Sequence, residues 1–223
     1  GMELGIDLGK LEIESVEVAD QDWASYWKRQ FKPFLLGRHM LVAPSWTQPV
    51  LKPGDKLISI DPGMAFGTGT HETTGLCVAL VEQYVGPGQT VIDVGTGTGI
   101  LAIAALMMGA AEALAIDIDP VAVRVAAENV RLNGLEGKIR CQEGDLLKAT
   151  SETADVVIAN IIADVILMIL EPVRAHIKEG GLFICSGIIE GRRDEVVRAL
   201  KDAGYRDLDI RQQGEWIAIA CRR

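Results

Sequence analysis

Three glycines at alternate positions, in Asp93-Val-Gly95-Thr-Gly97-Thr-Gly99-Ile-Leu101, join an apolar strand-like run (Thr90-Val-Ile-Asp-Val94) to an apolar helix-like run. A strand ending in such a turn lets another group come close to its backbone, because glycine carries no Cβ. The helix that follows presents unpaired N–H groups at its first turn. The third glycine comes two residues after the second, whereas the dinucleotide fingerprint spaces that pair by three. The turn therefore predicts a ligand pocket at the end of a strand, and the spacing points away from NAD.

From this turn onward strand and helix patterns alternate. Residues 91–94 read as a strand and 100–108 as a helix, followed by a strand at 113–118. Asp119 then reads as an N-cap with Pro120 in the first helical position, and Asn133-Gly134 as the helix stop. Strands follow at 139–142 and 155–159, the second a continuous apolar run expected to be buried on both faces. A helix at 163–177 contains Pro172, a candidate kink. A strand at 182–185, a helix at 194–203 and two last strands near 206–212 and 215–221 complete the pattern. Alternation of this kind predicts a doubly wound parallel sheet. The last two strands have no helix between them and predict a C-terminal antiparallel hairpin.

Ahead of residue 90 the pattern changes. Residues 11–18 alternate apolar and acidic side chains as a half-exposed strand does. Residues 23–34 mix aromatic and basic side chains, with Pro33 ending any helix there, and short strands are expected at 39–43 and 57–60. Residues 63–69 are glycine-rich, and a helix resumes over 72–85 before Gly86-Pro87-Gly88. Gly1 ahead of Met2 reads as an expression remnant. The expected division is a linker and N-terminal remnant over 1–45 and a catalytic domain over 46–223.

Composition narrows the partners. A formal net charge of −9 disfavours broad phosphate-neutralising contact with nucleic acid and suits a basic protein partner. Cys77, Cys141, Cys185 and Cys221 lie far apart with no paired metal-ligand spacing, and read as reduced thiols of a cytoplasmic protein. The sequence contains no apolar run of membrane-spanning length, and no metal site is expected.

The candidate site residues fall at strand ends. Asp117, about 20 residues past the glycines, is placed to accept hydrogen bonds from ribose hydroxyls. Asp145 ends the third strand of the alternating region and either faces an adenine amino group or stands solvated in its loop. Asn160 ends the fourth. Its side-chain oxygen can accept a hydrogen bond from an acceptor amine and aim the nitrogen lone pair, which is catalysis by orientation; the competing reading is an N-cap for the next helix. Asn160-Ile-Ile-Ala163 offers no aromatic platform for a flat base, so an aliphatic amine fits better. Thr73 and Thr74, after the glycine-rich segment, either cap their helix or touch the ligand, and His71 reads as a positioning residue. Together these residues describe a pocket for S-adenosyl-L-methionine with a polar group beside its reactive atom.

Phe66-Gly-Thr-Gly-Thr-His-Glu-Thr-Thr74, Asp93-Val-Gly-Thr-Gly-Thr-Gly-Ile-Leu101, Ile116-Asp-Ile-Asp-Pro120 and Asn160-Ile-Ile-Ala163 resemble the bacterial ribosomal protein L11 methyltransferase family (PrmA). Asp22-Trp23 through Trp27, Phe31-Lys-Pro-Phe34 and Pro44-Ser-Trp46 resemble its linker and domain start. The resemblance implies a seven-stranded Rossmann-like class I methyltransferase sheet. It also implies N-methylation of lysine side chains and an N-terminal amine on that ribosomal protein. Carried over by motif, the ligand contacts are Thr74, Thr73, Gly95, Gly97, Asp117, Asp145 and Asn160. The family places a small α/β domain before the linker, where this sequence has roughly 20 residues, too few to form it. Transfer to another amine, or ligand binding without transfer, would use the same residues.

Overall fold

The computed structural model describes residues 32–61 and 72–223. The expected strand at 11–18, the 23–34 segment up to residue 31 and the glycine-rich segment with His71 lie outside the described residues. Pro33–Arg223 forms one compact unit.

The main sheet is built from β4 (Thr90–Val94), β5 (Glu112–Asp117), β6 (Ile139–Glu143), β7 (Ala154–Asn160), β8 (Ile177–Ile189), β9 (Arg206–Gln213) and β10 (Trp216–Arg222). Its seven strands run in the order β6-β5-β4-β7-β8-β10-β9. β10 is antiparallel to both of its neighbours and every other pairing is parallel, so the expected C-terminal hairpin is present. After β6 the chain crosses back to lay β7 on the other side of β4. That reversal leaves a crevice beyond the carboxyl ends of β4 and β7, where open α/β sheets bind ligands.

Helices cover both faces. α1 (Glu72–Tyr84), α2 (Ile100–Met107) and α3 (Pro120–Leu132) lie on one side, and α4 (Ala163–His176) and α5 (Arg193–Asp202) on the other. α2 buries every side chain from Ile100 to Leu106, as a helix that is apolar all round must. α3 starts where the sequence predicts: the Asp119 side chain accepts from Val121 N at 2.8 Å and Pro120 follows. In β7, Val156 and Ile158 face one core while Val157 and Ala159 face the other, which accounts for its unbroken apolar run.

Some elements exceed the sequence pattern. β8 has 13 residues, far more than the apolar stretch at 182–185: pairing with β10 carries it on to Ile189, and its other end starts at Ile177 opposite Ala154 of β7. α4 runs through Pro172 to His176 without interruption. A second sheet is formed by β1 (Phe34–Leu36), β2 (Met40–Ala43) and β3 (Lys56–Ser59), with β1-β2 antiparallel and β2-β3 parallel. Glu82 of α1 accepts from Arg38 N and His39 N at 2.7 Å each and fastens the β1–β2 turn to the helix. Among the described residues no helix is long and apolar enough to cross a membrane.

Ile158 is fully buried in the central strand β7. Ile158→Ala is expected to destabilise the fold by about 3 kcal/mol through the lost methylenes and residual cavity, measured by urea denaturation.

Candidate active site

A cleft of about 610 Å³ opens at the carboxyl ends of β4, β5 and β7, within the usual size of a small-molecule site. Its floor is the glycine turn after β4. Gly95 has φ of 71°, and a Cβ there would stand 2.7 Å from the Ile161 side chain, so no other residue fits without displacement. The turn is tied to β5 by Gly95 N and Thr96 N, which both donate to Ile116 O at 2.9 and 3.0 Å.

Two carboxylates hold this turn from opposite sides. Asp117, at the end of β5, accepts from Gly97 N at 2.8 Å on one oxygen and from Asp119 N at 3.0 Å on the other. It also lines the cleft. Each oxygen keeps a second lone pair for a ligand hydroxyl. Asp93 lies beneath the turn, fully buried, and its Oδ2 accepts from Thr96 Oγ1 at 2.7 Å and Ala102 N at 3.2 Å. Its Oδ1 has no hydrogen-bond partner. Burial pushes the Asp93 carboxyl up to about 6; the Thr96 and Ala102 bonds oppose that rise, and the nearby Asp117 charge adds to it.

Asn160 stands at the end of β7, half-buried on the cleft wall. The N-cap of α4 is Ile162, so the Asn160 side chain is not spent on capping. Its Nδ2 donates to Thr74 Oγ1 at 3.4 Å, and among the described residues no hydrogen bond falls on Oδ1. Thr73 and Thr74 are both buried at the start of α1; Thr73 lines the cleft, and Thr74 reaches it through Asn160. Asp145 lines the cleft beyond β6, exposed and paired with Lys148 at 2.6 Å. The structure thus brings Thr73, Gly95, Gly97, Asp117, Asp145 and Asn160 around one cavity, with Thr74 against Asn160.

Sequence reasoning passed over two residues. Asp93 is an acid inside an apolar strand, a pattern that by itself signals a buried, hydrogen-bonded carboxyl. Trp216 opens β10 and lines the cleft with Gly187 of β8, supplying on the acceptor side an aromatic wall that the residues next to Asn160 lack. No local motif marks it, because only the antiparallel return of β10 brings it there. The remaining walls are apolar. Ile118 (69% exposed), Met168 (64%) and Ile162 (64%) present bare hydrocarbon at the cleft. Leu146, with φ of 53°, joins them from a left-handed backbone rare for leucine.

This donor set fits an adenosyl ligand. Asp117 offers carboxylate acceptors to a diol, the glycine turn admits a ligand against its backbone, and apolar side chains flank a slot for a flat ring. Among the described residues no cluster of His, Cys, Asp or Glu is arranged to hold a metal ion.

The strand order, with β10 alone reversed, and the glycine turn on the first strand of the crossover define a class I, Rossmann-like methyltransferase fold. The chain belongs to the family described as ribosomal protein L11 methyltransferase (PrmA), whose profile matches residues 2–223. It is 44% identical over 99% of its length, and 70% of the relative's, to the ribosomal protein L11 methyltransferase of Alkaliphilus oremlandii. It is 48% identical to that of Pelotomaculum thermopropionicum, over 94% of this chain and 68% of the relative. The crystal structure of the ribosomal protein L11 methylase from Lactobacillus delbrueckii subsp. bulgaricus superposes with a TM-score of 0.80 at 37% identity, covering 86% of this chain and 99% of that one.

The raised Asp93 carboxyl sets a pH signature. Its folded-state value of about 6 lies above the ordinary aspartate value of 3.8, so the folded state holds the proton more tightly and loses stability as pH rises across that window. Asp93→Asn cannot ionise. The stability of the wild type relative to Asp93→Asn is expected to fall by up to about 3 kcal/mol between pH 4 and pH 7, measured by denaturant titration at each pH.

Proposed function

We propose that this chain is an S-adenosyl-L-methionine-dependent protein N-methyltransferase that methylates lysine side-chain and N-terminal amines of ribosomal protein L11, in the cytoplasm. The observation that carries the reading is the placement of Asn160 across a single cleft from Gly95, Gly97 and Asp117, in a chain of the L11 methyltransferase family. The named activity of the relatives supports the substrate.

S-adenosyl-L-methionine would supply a sulfonium-bound methyl group, whose carbon an amine lone pair attacks as the S–C bond breaks and S-adenosylhomocysteine leaves. The chain holds and orients. Asp117 receives the ribose hydroxyls, the Gly95–Gly97 backbone admits the rest of the ligand, and Asp145 with the apolar slot takes the adenine end. Thr73 and Thr74 close the side nearer α1.

Asn160 acts on the acceptor. With Nδ2 turned to Thr74, Oδ1 is left to accept an N–H from the incoming amine, which fixes the direction of the lone pair. Such alignment converts an encounter into a near-attack geometry and can supply much of the rate. The amine must be neutral to attack. The apolar walls around Ile161, Ile162 and Trp216 disfavour the ammonium form and lower the amine pKa. The proton is released to solvent before transfer or with the product.

Incubation of purified L11 with the chain and S-adenosyl-L-methionine is expected to give intact-mass increments of one or more methyl groups; unchanged L11 beside a chain that binds the cofactor would redirect the reading to another amine. Asn160→Ala is expected to lower kcat by about 100-fold while the Kd for S-adenosylhomocysteine, measured by calorimetry, changes by less than about threefold. Asp117→Ala is expected to do the reverse, raising that Kd by about tenfold or more.

A further inference from the structure

The glycine turn is held from a third side by a residue that does not line the cleft. Asn129 lies on α3, only 1% exposed. Its Nδ2 donates to Thr98 O at 2.9 Å, in the middle of the turn between Gly97 and Gly99. Its Oδ1 accepts from Asp61 N at 3.1 Å. One carboxamide thus spans two backbone segments that are far apart in sequence.

One end of that span bears directly on the cleft floor. Thr98 follows Gly97, whose own N–H is held by Asp117, so the turn is pinned at consecutive residues by an acid on β5 and an amide on α3. Contact between α3 and the turn is tight, for a Cβ at Gly99 would stand 3.3 Å from Ala126 Cβ. The other end of the span, Asp61, lies two residues past β3. Its carboxylate is fixed too, accepting from Ser45 N and Ser45 Oγ at 2.7 Å each.

One turn along α3, Asn133 provides the comparison. Its Oδ1 accepts from Ser59 N at 2.9 Å and its Nδ2 donates to Ser59 O and to the Asn129 backbone O at 2.7 Å each, so it grips the same strand exit with the same chemistry while leaving the Asn129 side chain untouched. It has no bond to the glycine turn. The two asparagines therefore separate a purely structural clamp from one that also reaches the ligand turn.

We infer that Asn129 is a positioning residue for the cofactor cleft: its buried carboxamide fixes the Thr98 carbonyl of the glycine turn relative to the Asp61 amide, and so sets the shape of the cleft floor without touching the ligand. A two-sided amide is needed for this, one face donating and the other accepting. Removing it takes a donor from the buried Thr98 carbonyl and an acceptor from the half-buried Asp61 N–H, which loosens the tie between the turn and the strand exit. The inference rests on the reading of the cleft as a cofactor site.

The test compares Asn129→Ala with Asn133→Ala, at a temperature where thermal melts show both fully folded. Calorimetric Kd for S-adenosylhomocysteine is measured on the wild type and both variants, with kcat and KM on L11. Both substitutions are expected to lower Tm. Only Asn129→Ala is expected to raise the Kd, by about tenfold, and the KM for S-adenosyl-L-methionine with it. Equal, wild-type affinity in both variants would overturn the positioning role. Parallel weakening in both would also overturn it, because the effect would then follow the shared clamp on the strand exit. If Asn129→Ala does not fold, Asn129→Ser takes its place under the same comparison; failure of both to fold beside a folded Asn133→Ala would make Asn129 a residue of the fold and overturn the assignment. A wild type that binds no S-adenosylhomocysteine would instead sink the cofactor reading itself.

Discussion

Everything at the cleft depends on a short turn whose backbone a chain of ordinary residues cannot adopt, held in place by side chains at adjacent strand ends. Gly95, Gly97 and Gly99 all have positive φ and bring no side chains, so their stretch of backbone depends on the groups around it. Order comes from outside. Asp93 grips Thr96 and Ala102 from below, and Asp117 grips Gly97 from the side. The cost is visible at Asp93, where one carboxylate oxygen is buried without a partner and the carboxyl titrates high. A charge-assisted hydrogen bond is stronger than a neutral one, which is a physical reason for an acid where an amide would be cheaper to bury.

The crossover of the sheet then divides the work. β4 and β5 carry the turn and the acid on one flank, while β7, β8 and β10 carry Asn160, Gly187 and Trp216 on the other. Because β4 and β7 are hydrogen-bonded neighbours in parallel register, with Val94 opposite Ala159, the two flanks cannot slide past each other. On the proposed reading, the methyl donor and acceptor are held by separate flanks whose spacing the sheet itself fixes. Rate gained by alignment is retained only on a scaffold of this rigidity.

Much of this was legible in the sequence because it is local. The glycine spacing, the Asp119-Pro120 cap, the apolar run of β7 and the lone terminal hairpin each follow from a few neighbouring residues. So do the strand-end positions of Asp117 and Asn160. The rest required tertiary pairing. The far end of β8 depends on β10, β1 is fixed by a Glu82 contact with the next turn, and Trp216 enters the cleft only through the reversal of its strand. Asp93 was in plain view within an apolar strand, but attention to the glycines after it hid the question of where its charge goes.

The acceptor side also shows how one site can serve an amine through successive methylations, under the proposed reading. A neutral primary amine offers two N–H donors and a monomethyl amine one, so Asn160 Oδ1 can hold either with a lone pair free for attack. A neutral dimethyl amine has none. Its orientation must come from contact with the walls, and here those are the flat ring of Trp216 and the branched side chains of Ile161 and Ile162. An apolar wall suits a substrate that becomes more apolar with each methyl while still carrying charge in its product. An aromatic face can attract the resulting quaternary ammonium as well. Hydrogen bonding at Asn160 and packing at Trp216 are then successive means of positioning the same nitrogen, and the cleft holds both because β7 and β10 lie on opposite sides of β8.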